Sequence, residues 1–431
     1  MKRVAITTLG CKTNQFESAA MRERFLENGY CVVSFTTEAD IYVINSCTVT
    51  ARTDAETRRL IRRARRLNPQ ARIVATGCYA QVAPEELERL PEVDCVLGNR
   101  EKQDIIALVE SGESRVSDVA VERDAEPLAL SSFAEHTRAF LQVQNGCNSF
   151  CTYCIVPYAR GRNRSVPLEA VMDGIRGLAD NGYQEVVLTG IHLGAYGLDQ
   201  SPASSLTELL RRIDGERPVA RLRIGSVEPN EVTDELLALM TTSAIICPHL
   251  HLPLQSGSND VLTRMGRSYT ADFFRNLMVK ITTAMPHAFI GADVIAGFPG
   301  ESDAEFQETV HLLSDLPFSD LHVFPYSRRP GTPAAEMPGQ VPSHVVKQRA
   351  EALRKVATLK KESFLQQQIG TVLKVLVQTY ESRTRSCSGL SRNYANVVFL
   401  GEVDMIHTEC SVRISDPVKG GVAGFSVSFG D

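Results

Sequence analysis

Residues 140–161 read FLQVQNGCNSFCTYCIVPYARG, and Cys147, Cys151 and Cys154 stand in that run as C-x3-C-x2-C, directly after an apolar stretch. Three thiolates on one loop can wrap a single small inorganic centre. Iron–sulfur clusters are usually held by four cysteine thiolates, and here no fourth cysteine follows until Cys247. A [4Fe–4S] cube bound this way keeps one iron without a protein ligand, much as a catalytic metal site keeps one position free for a reactant. The competing reading is a structural zinc loop. Structural zinc takes four closed tetrahedral ligands, typically as two short pairs, and this triplet lacks a local fourth partner.

The chain of 431 residues exceeds one ordinary core, so two or three domains are expected. Its composition is that of a soluble globular protein, and no segment has the run of about 18 apolar residues that a membrane span needs. The N-terminal MKRVAITTLGCKTN breaks its apolar run with threonines, so no signal peptide is evident and the cytosol is favoured. In that compartment 11 cysteines argue for metal binding or reactivity over disulfides. A net charge of −5 carries no global signal for nucleic acid.

Working outward toward the N-terminus, residues 3–8, 31–35, 40–45 and 71–76 are short β-branched runs separated by helical patterns, notably 14–28 and 52–67. That alternation predicts an α/β layer with a parallel sheet. Cys11, Cys47 and Cys78 each follow one of these strands, and in an open parallel sheet the strand carboxyl ends share one edge. Three thiols distant in sequence are therefore expected to converge as a second site. Cys31 and Cys95 are read as packing residues. In the helix around 51–68, Arg52, Arg58, Arg59, Arg62, Arg63, Arg65 and Arg66 fall on one side, with Leu60, Ile61, Ala64 and Leu67 opposite. The cationic side is read as a phosphate-binding face, with Arg59, Arg62 and Arg66 as its RNA contacts; a solvated surface is the competing reading.

From 112 to 136 periodicity fades, as suits a connector. Beyond it, β-rich runs at 138–144, 185–189, 219–226, 245–252, 288–295 and 320–326 alternate with helical stretches. This predicts a parallel, incomplete (β/α) barrel with functional residues at the strand carboxyl ends. The cysteine loop sits at the first end. On position alone, Thr189, Gly190, His192, Ser226, Glu228, Gln255, Ser256 and Asp293 are the candidate cofactor and substrate contacts. The Pro/Gly-rich loop 327–343 closes the barrel, a helix follows at 343–368, and short alternating runs after it predict a small β-barrel. The expected division is 1–125, 126–365 and 366–431.

TLGCKTNQFES (8–18), YVINSCTVT (42–50), VATGCYAQ (74–81), NGCNSFCTYCIVPYARGR (145–162), LTGIHLGAYG (188–197), HLHLPLQSGS (249–258), DVIAGFPGE (293–301) and FPYSRRPGTPAA (324–335) together resemble the radical S-adenosylmethionine (SAM) methylthiotransferases. The signature includes an aromatic residue just before the last cysteine, here Tyr153, which the resemblance makes a further SAM-site candidate. The resemblance covers almost the whole chain. It implies an auxiliary [4Fe–4S] cluster on Cys11, Cys47 and Cys78 and a SAM-binding [4Fe–4S] cluster on Cys147, Cys151 and Cys154. It also implies that the C-terminal module is similar to the TRAM domain, an RNA-binding barrel. Within the family the chain is most similar to the branch that methylthiolates C2 of N6-threonylcarbamoyladenosine at position 37 of the tRNA anticodon loop. In that chemistry one SAM supplies the methyl group and a second the 5′-deoxyadenosyl radical, with an electron donor such as flavodoxin or ferredoxin and a sulfur donor as partners. Arg160, Arg162 and Arg164, just past the SAM loop, are expected to grip tRNA phosphates, with surface solubility as the competing reading. The module 366–431 carries equal numbers of basic and acidic residues, a weak electrostatic footprint for RNA. The rivals within the family act on isopentenyladenosine-37 or on an aspartate of a ribosomal protein; from another class, an iron–sulfur electron carrier or RNA-binding redox sensor remains.

Overall fold

The structure, a computed structural model, describes residues 1–125, 128, 130 and 137–427. The rest of the expected connector lies outside the described residues.

Five parallel strands form the N-terminal sheet, in the spatial order Cys31–Val33, Arg3–Thr8, Ile41–Ser46, Arg72–Gly77 and Cys95–Leu97. Its central strands are apolar on both faces because helices cover both. Tyr42, Ile44 and Ile73 pack with Leu60, Ile61 and Ala64 of the helix Ala51–Leu67, while Val4, Val43 and Val74 pack with Phe25 and Leu108 on the other side. Thr50 caps Ala51–Leu67 by accepting from the Thr53 amide. Cys95 is buried as expected, but Cys31 is exposed, because it opens the short strand at the sheet's edge. The helix Lys12–Glu27 also contributes Phe16 and Ala20 to the core of the following domain, so the first two units share an element.

That following domain is the expected incomplete barrel. Arg138–Gln142, Glu185–Thr189 and Arg221–Ile224 form one parallel sheet, and His249–Gln255, Phe289–Ala296 and Asp320–Pro325 another. Parallel bridges Leu222↔Ile246 and Ser226↔His251 join the two. Leu168–Asp180, Leu206–Glu216, Asp234–Thr242, Ala271–Ala284 and Asp303–Asp315 are its helices, each burying an apolar stripe.

After the helix Ser343–Gln366, five strands between Val372 and Ser426 close into a small barrel. Its 391–394 turn plugs the floor of the incomplete barrel. Asn393 Nδ2 donates to the His287 carbonyl at 3.0 Å, and the Tyr394 ring lies 4.4 Å from His249 and 5.3 Å from Phe289, with the Arg223 guanidinium 4.9 Å from its centre. Arg221 and Arg223 are fully buried and share Glu185, at 2.7 and 2.9 Å. Their outer nitrogens donate to the carbonyls of Leu390 and Arg392 at 3.0 and 2.9 Å. Among the described residues no helix is long and apolar enough to cross a membrane.

Burial alone would raise the Glu185 carboxyl, but Arg223 and Arg221 overrule it and hold it at about 2. A carboxylate depressed in the folded state contributes stability above its unfolded value of about 4.3 and loses it as pH falls toward 2. Glu185→Gln, which leaves two buried guanidinium groups short of an anion, is expected to lose roughly 3–5 kcal/mol at pH 7. In urea unfolding the gap between wild type and variant should narrow below pH 4; a constant gap would show that the pair is not ionic.

Candidate active site

Cys11, Cys47 and Cys78 stand at the carboxyl ends of three adjacent parallel strands. Gly10, at φ +104°, lets their loops close: a Cβ there would lie 2.6 Å from Cys47 Cβ and 2.9 Å from its Sγ. Burial pushes the Cys47 thiol up to about 12, and the charges of Cys78 and Cys11 add to that push. Cys47 is buried, Cys78 half-buried and Cys11 exposed; three thiolates at one sheet edge repel one another, so the donor set fits a metal cluster, whose iron supplies positive charge. The Arg160 Nε donates to Cys78 Sγ at 3.3 Å. The same guanidinium also pairs with Glu17, which Lys102 shares, and all three side chains are buried. Burial would raise the Glu17 carboxyl; Arg160 and Lys102 bring it down to about 2.

The second cysteine set lies at the mouth of the incomplete barrel. Gly146, at φ +73°, lets the loop pass so close to its own return that a Cβ would sit 1.8 Å from the Arg162 carbonyl oxygen. Burial pushes the Cys154 thiol up to about 12. Cys147 has the opposite balance: burial opposes its thiolate, but hydrogen bonds from His192 and Ser149 outweigh it and lower the pKa. A continuous chain of polar contacts joins two of the thiols. Cys147 Sγ is 3.5 Å from His192 Nδ1, and His192 Nε2 is 2.6 Å from Glu231 Oε1. Glu231 Oε2 accepts from the Glu228 amide at 3.1 Å, the Glu228 carboxylate pairs with Arg267, and Arg267 Nη1 donates to Cys151 Sγ at 3.2 Å. These donors are suited to an electron-rich thiolate cluster and orient its ligands from the surrounding shell.

The positional candidates divide. Glu228 and His192 belong to this chain, and Tyr153 packs edge-on against Phe298 at 6.5 Å. Thr189 instead meets Thr13 of the N-terminal helix, hydroxyl to hydroxyl at 3.4 Å. Gly190 backs onto Gln144, Ser226 is exposed, and Gln255 is buried with φ +66°. Asp293 is held by His251 at 2.8 Å and His322 at 3.3 Å, inside the barrel. Arg267 and Glu231 escaped the sequence reading because neither stands at a strand end; only the fold brings them to the thiols.

The arginine expectations need correction. Arg160 and Arg164 are 1% and 4% exposed and paired with Glu17 and Glu122, so they cannot grip RNA phosphates; Arg162 is exposed. On Ala51–Leu67, Arg59 pairs with Glu56 at 2.5 Å and Arg62 reaches Glu92 at 4.0 Å, while Arg65 is occupied by Asp94 and nearby carbonyls. Asp54 is buried and taken by Arg329 at 2.6 Å. Among the described residues Arg52, Arg63 and Arg66 have no carboxylate partner, which keeps this face cationic.

A half barrel with a three-cysteine loop at its mouth defines the class, a radical SAM enzyme. Residues 141–313 match the Radical SAM superfamily and residues 3–98 match Uncharacterized protein family UPF0004. The chain is 42% identical to the threonylcarbamoyladenosine tRNA methylthiotransferase MtaB of Bacillus subtilis (strain 168), covering 96% of this chain and 94% of that one. It is 32% identical to the tRNA-2-methylthio-N(6)-dimethylallyladenosine synthase of Desulfitobacterium hafniense (strain Y51), covering 96% and 95%. It belongs to the radical SAM tRNA methylthiotransferase family. In fold it is similar to the radical SAM methyltransferase TsrM from Kitasatospora setae, with a TM-score of 0.57 at 16% identity, covering 78% of this chain and 75% of that one. SAM and an iron–sulfur cluster are thus its cofactors.

If each cysteine triplet holds a cluster, replacing Cys11, Cys47 and Cys78 together by alanine should remove about half the iron of the reconstituted protein. The remainder should still cleave SAM reductively. Undiminished iron would show that the N-terminal thiols hold no metal.

Proposed function

We propose that this chain methylthiolates C2 of N6-threonylcarbamoyladenosine at position 37 of tRNA, using two [4Fe–4S] clusters, an auxiliary one on Cys11, Cys47 and Cys78 and a SAM-binding one on Cys147, Cys151 and Cys154. The observation that carries the reading is Arg160. It ends the helix that follows the Cys147–Cys154 loop and donates to Cys78 of the other triplet, a link that supports a reading in which the two cysteine sets serve one reaction. When bound, the clusters and SAM supply hydrogen-atom abstraction and sulfur for a C–H position that acid–base chemistry does not activate.

The chain's own residues prepare the two cysteine sites. His192 and Arg267 donate toward Cys147 and Cys151, and Arg160 toward Cys78, so the thiolates meet fixed donors rather than water. Outside, Phe150 and Tyr158 expose aromatic surface at 53% and 44%, edge to face at 5.9 Å, beside the SAM loop. Exposed aromatics suit a base splayed from a single-stranded loop. The free arginines of Ala51–Leu67 suit the anticodon-stem phosphates, and the C-terminal barrel is read as a TRAM-like RNA-binding module. An electron donor of the flavodoxin or ferredoxin kind and a sulfur donor are the partners this reaction requires.

Nucleoside mass spectrometry of tRNA from a host lacking its own methylthiotransferases, with and without this chain, tests the reading. The 2-methylthio derivative of threonylcarbamoyladenosine is expected; its isopentenyl counterpart alone would overturn the substrate, and no methylthio nucleoside would overturn the RNA. Separately, changing Arg52, Arg63 and Arg66 to glutamine should flatten the log–log salt dependence of tRNA binding by about 2. An unaltered slope would return that helix to an ordinary solvated face.

A further inference from the structure

Three side chains on adjacent strands of the half barrel, none of them a cysteine, converge on one carboxylate oxygen. His251, Asp293 and His322 come from His249–Gln255, Phe289–Ala296 and Asp320–Pro325, which pair in parallel in that order. In these strands Leu250, Leu252, Ala292, Val294 and Leu321 enter the helix-packed core, so the two histidines and the aspartate, at the alternate positions, face the other side. The register sets their meeting. His322 stands directly opposite Asp293, whereas His251 stands opposite Gly291, two residues earlier. A Cβ at Gly291 would lie 2.8 Å from His251 Nδ1, so the absence of a side chain there lets the ring lie over that strand and reach diagonally. Its Nε2 comes 2.8 Å from Asp293 Oδ1, and His322 Nδ1 comes 3.3 Å from the same oxygen. The two imidazole centres are 4.9 Å apart. One ligand atom from each of the three side chains lies within 4.8 Å of the other two.

We propose that His251, Asp293 and His322 form a binding site for a divalent transition-metal ion such as zinc, separate from the cysteine-held iron. Two imidazoles and one carboxylate suit zinc, iron(II) or nickel(II), not magnesium or calcium, which take oxygen ligands. Zinc bonds of about 2.0–2.1 Å put tetrahedral ligand atoms ~3.3 Å apart. Two of the three separations here, 2.8 and 3.3 Å, are already of that size. Both histidines address Oδ1, and among the described residues Asp293 Oδ2 makes no hydrogen bond. A network built for hydrogen bonding alone would divide two donors between two oxygens, whereas ligand atoms gathered at one point suit a cation. Asp320 and Lys361, whose charges also reach His322, pair with each other at 2.9 Å and leave Asp293 as the anion of the site. An entry path exists, because the His322 side chain, on the edge strand, is 59% exposed. Three protein ligands leave a fourth position for water or an oxygen of a bound molecule, as in catalytic zinc sites. Along its strand His251 stands two residues before Pro253, whose carbonyl accepts from Arg267, the donor to Cys151.

The test uses the reconstituted holoenzyme, in which iron and sulfide already occupy the cysteines, so that added metal reports other donors. The protein is equilibrated anaerobically with zinc chloride and desalted. Zinc and iron are then counted together by mass spectrometry, and the zinc surroundings are read by X-ray absorption at the zinc edge. Wild type should retain about one zinc per chain, with nitrogen and oxygen neighbours at about 2.0–2.1 Å and no sulfur at about 2.3 Å. His322→Ala and Asp293→Asn should each weaken zinc binding at least about a hundredfold against a chelator of known affinity, more than the roughly 10–100-fold that an outer-shell partner contributes. Unchanged iron content shows that each variant is folded; should Asp293→Asn lose iron as well, His322→Ala alone decides. A wild-type holoenzyme that retains no zinc overturns the proposal. So does zinc surrounded by sulfur, or a zinc affinity that His322→Ala leaves unaltered.

Discussion

The buried ion pair between Arg160 and Glu17 is the contact on which the geometry of this protein depends. Arg160 comes from the turn of helix after the SAM loop, and Glu17 from the helix that begins beside Cys11. The pair therefore ties one cysteine set to the other across a domain boundary. Two charges taken so completely out of water are stable only when every polar atom is engaged. Here Lys102 shares the carboxylate, Asn14 accepts from the guanidinium, and the remaining nitrogen donates to Cys78. Such a network is strongly directional. An apolar contact of equal area would tolerate sliding, whereas this one specifies a register between the two sites.

A second buried network closes the opposite end. Arg221 and Arg223 need more acceptors than Glu185 provides, and the carbonyls of Leu390, Ser391 and Arg392 supply them. The C-terminal barrel is thereby joined to the floor of the half barrel by hydrogen bonds to buried charge and by the ring of Tyr394. A half barrel has an open lateral edge and an open floor; the N-terminal helix covers one and the 391–394 turn the other.

Much of this organisation can be read in the linear chain because it depends on local periodicity. β-branched runs of about six residues, and helical stripes such as Leu60, Ile61 and Ala64, identify the elements, and their alternation implies parallel sheets. The convergence of Cys11, Cys47 and Cys78 follows from that implication alone, since parallel strands put their carboxyl ends on one edge. Arg160 and Arg164 mark where such reading ends. In sequence they are basic residues beside a reactive loop, indistinguishable from Arg162; only burial tells the structural pair from the exposed one.

The sequence by itself determined the class of elements, the two cysteine triplets and the family likeness, because spacing along the chain dictates what a loop can ligate and which face a helix can bury. The tertiary structure alone decided which charges are sequestered, which remain free for a ligand, and what stands next to each thiol. Arg267 beside Cys151 and Tyr394 beneath the half barrel come from elements far apart in sequence. Their roles follow from desolvation and pairing, and those are properties of neighbours in space that no interval along the chain encodes.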